Sequence, residues 1–138
     1  MNHPISNLLT NYKEHLQKDG LSEELYKWDL VKKYKGRPHL DVEDFEKEIR
    51  SIDYGNLIYG MAYAVRNHLA EATTSEYRES FKILFDEATP LSQRVKDYLA
   101  VIEKIYRGLG ATLSHHHDER TIATILTFYN PDKYIFYK

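Results

Sequence analysis

Apolar residues recur three and four positions apart along almost the whole chain, with few alternating runs, so the pattern predicts helices rather than strands. Leu8, Leu9, Tyr12 and Leu16 place a first helix over about 5–18, with Gly20 where its end belongs. A second, over about 22–35, carries Glu23 and Glu24 in its first turn and a stripe of Leu21, Leu25, Trp28, Val31 and Tyr34; Gly36-Arg37-Pro38 breaks it. Asp41 is the expected N-cap of a short third helix with Val42, Phe45, Ile49 and Ile52, and Asn56 of a fourth with Ile58, Met61, Val65 and Leu69. Thr73 and Glu76 stand at capping-box spacing before Tyr77, Phe81, Leu84 and Phe85. Thr89-Pro90 reads as N-cap and first-turn proline of the longest helix, to about 108, bearing Leu91, Val95, Leu99, Ile102, Tyr106 and Leu109. A polar loop through three histidines then leads to a last helix over about 118–129, stopped by Asn130-Pro131.

The fold class that follows is all-α, a compact array of about six or seven helices with a short aromatic C-terminal tail, forming one domain over residues 1–138. Trp28, Phe45, Phe81, Phe85, Leu99 and Ile125 lie on apolar stripes and are expected in its core. Tyr134, Ile135, Phe136 and Tyr137 are too apolar for an ordinary frayed terminus, so the chain is expected to be the N-terminal module of a longer protein. A hydrophobic content of 42%, a charged content of 29% and a net charge of -2 describe a globular domain. No apolar run reaches the roughly 18 residues of a membrane span. The start lacks a basic end followed by an apolar stretch, so a cytoplasmic protein without a membrane partner is expected. The absence of cysteine removes thiolate chemistry and disulfides.

Most catalytic readings fail on spacing. His115, His116 and His117 are consecutive, and adjacent side chains splay apart rather than converge on one ion, so a solvated loop is expected, with no metal and no cofactor. There is no phosphate-binding glycine loop and no nucleophile elbow, and Asp132 is followed only by Lys133 and aromatic residues. No catalytic residue is assigned, and these residues are not expected to form an enzyme by themselves. The best candidate surface is basic. Lys27, Lys32, Lys33, Lys35 and Arg37 stand against Asp29 in one short segment, where lysines meet phosphate oxygens and Arg37 or Tyr26 reaches a base. A lysine-rich helix face is more often a solvated one. The next segment, with Asp41, Glu43, Asp44, Glu46, Glu48 and Asp53, repels nucleic acid unless it faces away.

Three stretches, LYKWDLVKKYKGRPHLDVEDFEKEIRSID (25–53), FKILFDEATPLSQRVKDY (81–98) and DERTIATILTFYNPDKYIFYK (118–138), together resemble the helical module in front of the AAA+ motor of McrB-like modification-dependent restriction proteins. The resemblance implies a DNA-recognition or targeting role in phage defence, with a downstream AAA+ motor and a McrC-like nuclease as partners. Motor motifs are missing here, so neither nucleotide hydrolysis nor cleavage is carried over. The stretch 7–34 also has the rhythm of the helical core-binding domain of tyrosine recombinases, and exposed aromatic patches would equally suit a protein-docking or oligomerisation module.

Overall fold

The computed structural model describes residues 22–134, with side chains described from residue 25 onward. Among them the chain is all-α, with no strand and six helices: α1 (Ser22–Lys33), α2 (Phe45–Arg50), α3 (Gly60–Ala72), α4 (Thr74–Leu84), α5 (Leu91–Gly108) and α6 (Glu119–Tyr129). The helix expected over about 5–18 and the tail residues Ile135, Phe136 and Tyr137 lie outside the described residues.

Several helix starts differ from the sequence expectation. Asp44, not Asp41, caps α2, its Oδ1 accepting from the Lys47 N–H at 3.0 Å. α3 begins at Gly60 rather than near Asn56, since Leu57 and Ile58 are buried as loop residues before it. Thr73 does precede α4, but its hydroxyl donates backward to the Leu69 carbonyl at 2.8 Å, so no capping box forms. Pro90 itself is the N-cap of α5, leaving the Thr89 carbonyl to accept from Arg94. The expected start of α6 matches, with Asp118 Oδ1 accepting from the Thr121 N–H at 3.0 Å.

α4 makes its broadest contact with α5 and also meets α3 and α2, while α1 lies on α6. Phe81 is the centre of this packing. Tyr77, Phe85, Phe45 and Tyr98 surround its ring with centroids 4.9, 5.7, 5.9 and 5.9 Å away, in edge-on and tilted arrangements that suit aromatic quadrupoles. Burial pushes the phenols of Tyr77 and Tyr98 well above their ordinary range, so both stay neutral. Phe45, Phe81, Phe85 and Ile125 are buried as expected, whereas Leu99 is half-buried. Trp28 is a correction: it is 43% exposed. The buried positions of α1 are Val31 and Tyr34, the latter stacked on Phe128 of α6, and Trp28 falls one turn earlier and to the side of that line.

Three arginines fasten the loops to this core. Arg66, on α3, donates to the Ile52 carbonyl at 2.7 Å and lies over the Tyr63 ring. Arg78, on α4, donates to the Val42 carbonyl at 2.9 Å and lies over Phe45. Arg94, only 3% exposed, donates to the carbonyls of Leu84 at 2.9 Å and Thr89 at 2.8 Å, and to the Tyr134 hydroxyl at 3.0 Å. That hydroxyl donates in turn to Glu87, whose carboxyl Lys133 and Tyr134 hold below the usual carboxylate range. Each guanidinium thus supplies donors to carbonyls that helix ends and turns leave unpaired.

Arg94→Met keeps the aliphatic volume but leaves the Leu84 and Thr89 carbonyls without their donor. Urea unfolding should show a loss of about 2–4 kcal/mol. Arg94→Lys should recover only part of it, because one ammonium cannot reproduce the fork.

Candidate nucleic-acid interface

On α1, Trp28, Val31 and Lys32 fall three and four residues apart, and Lys35 follows in the turn beyond the helix, so these residues share one face. Together with Pro131 and Asp132 they line an open cleft of about 470 Å³. Both walls are anchored. The Gly36 N–H donates to the Phe128 carbonyl at 2.9 Å, joining the end of α1 to the end of α6. Gly36 sits at φ +82°, a left-handed conformation that glycine adopts without the cost a Cβ would bring. Across the cleft, Pro131 ends α6, the N–H groups of Lys133 and Tyr134 both donate to the Asn130 carbonyl, and the Tyr134 hydroxyl is held by Arg94 and Glu87.

Electrostatically the cleft is basic with one acidic edge. Lys32 is exposed and makes no ion pair with a described carboxylate. The Lys35 ammonium lies 3.6 Å from the Asp132 carboxylate, with side chains 56% and 84% exposed, so water screens this pair heavily and it contributes little to stability. Lys33 is also exposed, but its ammonium lies over the Tyr34 ring, 5.3 Å from the centroid, beside the cleft rather than in it.

The other sequence candidates are placed elsewhere. Lys27 is half-buried and does not line the cleft. Tyr26 lies on the opposite side of α1, where its hydroxyl covers Gly55 closely enough that a Cβ there would sit 2.4 Å from it. Arg37 is taken up by Glu48: Nε and Nη2 donate to the two carboxylate oxygens at 2.9 and 2.7 Å, and Nη2 also reaches the Ser51 hydroxyl. Burial alone would raise the Glu48 pKa, but bonds from Arg37 and from the His39 N–H outweigh it and hold the carboxyl below the usual range. This pair clamps the loop after α1 onto α2, so the acidic segment adjoins the basic one instead of facing away. Trp28, Pro131 and Asp132 were not among the sequence candidates for the site. The spacing of Trp28 to Lys32 and Lys35 carries the signal for the first; nothing local brings 131–132 opposite α1.

The histidine run is not the solvated loop that the sequence suggests. His117 is 2% exposed, its N–H donating to His115 Nδ1 at 3.0 Å and its own Nδ1 lying 2.8 Å from the His115 carbonyl. His115 therefore carries its proton on Nε2, which faces Glu103 at 3.5 Å. His116 adopts φ +58° and rests edge-on against Tyr59. Among the described residues no three His, Asp or Glu side chains are arranged to hold a metal ion. No helix among them is long and apolar enough to cross a membrane.

Burial pushes the His117 pKa down from 6.5 to about 4; the bond to His115 and the charge of Asp118 oppose this, while Arg66 and His115 add to it. Between those values the unfolded chain binds a proton that the folded chain refuses. Stability should accordingly be insensitive to His117 above about pH 7 and fall as pH drops from 6.5 toward 4, by up to roughly 3 kcal/mol. Thermal unfolding of wild type and His117→Gln across this window should show the variant losing less stability than wild type on acidification. Comparison of the whole chain with known proteins gives no match to a family model, a characterised protein or a solved structure, so the resemblance to McrB-like modules rests on the quoted stretches alone.

Proposed function

We propose that this chain is a non-catalytic, cytoplasmic DNA-binding module, serving as the targeting part of a McrB-like restriction assembly with a downstream AAA+ motor and a McrC-like nuclease. The observation that carries the binding reading is the presentation of Lys32, Lys33 and Lys35 at the end of α1 on a platform fixed to α6, beside an exposed indole. Lysine ammonium groups on a rigid edge meet phosphate oxygens without first ordering the backbone that bears them. The net charge of -2 and the adjoining acidic segment make the contact of one copy weak, and several copies presented by a ring would supply the missing affinity through effective concentration. Arg37 has a supporting role in this reading, holding the loop that follows the lysines.

Fluorescence anisotropy with a labelled duplex at several salt concentrations tests the proposal. Each phosphate contact contributes close to one unit to the slope of log affinity against log salt, so Lys32→Ala, Lys33→Ala and Lys35→Ala combined should flatten it by about three units. Asp132→Asn, which frees Lys35, should instead tighten binding several-fold. An unchanged slope in the triple variant would remove these lysines from the contact. Arg37→Ala, by contrast, should lower stability by about 2–3 kcal/mol because it leaves Glu48 without its partner.

A further inference from the structure

We infer that the cleft between α1 and the 131–132 turn is a subsite for an unpaired nucleotide, its base stacked on Trp28 and its flanking phosphates on Lys32 and Lys35. This rests on the reading of the basic end of α1 as a phosphate contact and adds to it a preference for single-stranded over duplex DNA. Trp28 is 43% exposed although Val31, one turn further along the same face, is 2% exposed. The indole therefore forms part of the cleft wall rather than the core, and with the half-buried Pro131 it supplies apolar surface inside an otherwise charged rim. A planar aromatic beside two ammonium groups matches a ligand that carries a π-face and negative charge within a few ångströms of each other. A nucleotide does, provided its base is not already stacked inside a duplex.

The cleft has the volume of an ordinary small-ligand site, about 470 Å³, and is open to solvent. Among the described residues no side chain reads a base sequence there with paired donors and acceptors: Lys32 and Lys35 are point charges, and Asp132 is engaged with Lys35. The inferred preference is consequently for unpaired structure with little sequence discrimination. Asp132 sets how much of the Lys35 charge reaches the phosphate.

Trp28 is the sole tryptophan of the chain, so its emission reports on this cleft directly. Titrating the full chain with a twelve-nucleotide oligothymidylate should quench the emission strongly, a matching duplex should bind more weakly with little quenching, and a polyglutamate peptide of equal charge should not quench. In anisotropy assays with labelled oligothymidylate, Trp28→Ala should weaken binding about ten-fold, and Trp28→Phe, which retains a stacking ring, should weaken it less. Circular dichroism of both variants should match wild type. If single strand and duplex bind alike, with steep salt dependence and unchanged emission, the stacking subsite is overturned while the phosphate reading stands. Binding of neither nucleic acid overturns both, and equal quenching by polyglutamate overturns the nucleotide assignment in favour of an acidic protein partner. If Trp28→Ala fails to fold, Trp28→Phe together with wild-type quenching decides the matter in the same way.

Discussion

Backbone carbonyls without helical partners are the constraint on which this arrangement turns. The six described helices and the irregular segments that join them leave many such groups, among them the carbonyls of Val42, Ile52, Leu84 and Thr89. Arginine provides a solution that few other side chains can. It crosses an apolar region with its methylene stem and delivers several donors in a plane, which is what Arg94 does at Leu84 and Thr89, Arg66 at Ile52 and Arg78 at Val42. Moving a lone cation out of water costs several kcal/mol, so these residues are compatible with a stable fold only because carbonyls, aromatic faces and, for Arg94, the nearby Glu87 receive the charge. The aromatic cluster around Phe81 supplies the burial; the guanidinium groups determine how the connecting segments lie upon it.

This division explains what was legible in the sequence. Helix class and most helix positions follow from apolar periodicity, because burial of one face is a local property of the chain. The start of α6 was legible at Asp118, where side chain and N–H donor are three residues apart. At Asp41 the same logic gives the wrong residue, since Asp44 competes for the same role one turn later and lies nearer Phe45, the buried anchor. Arginine partners were not legible at all. Arg37 looks like a surface cation in its lysine-rich surroundings, and only the meeting of the loop after α1 with α2 brings it to Glu48, eleven positions away. Much the same holds for His117, whose burial follows from the fold of the loop between α5 and α6 rather than from any pattern of the run.

Trp28 shows a limit of the stripe argument. A position three residues from a buried one shares a helix face but not always a neighbour, and the described contact between α1 and α6 is small. The indole is left at the rim, where its spacing to Lys32 and Lys35 was visible, but the opposing wall was not. Asp132 stands about a hundred positions further along the chain, and its approach to Lys35 depends on where Pro131 turns the backbone.

The cleft and the core are therefore mechanically connected. Asp132 is followed directly by Lys133 and Tyr134, which are tied to Glu87 and Arg94, and Arg94 in turn secures the connection between α4 and α5. On the other wall, Gly36 is tied to Phe128 and Arg37 to Glu48. A surface built of long, freely rotating lysines would lose much of its binding free energy to ordering the chain beneath them. Here that ordering is accomplished by folding itself, so the binding cost that remains falls mainly on the lysine side chains. It follows that substitutions in the Arg94 cluster, remote from the cleft, would alter affinity through the position of the 131–132 wall without changing any charge that a phosphate meets.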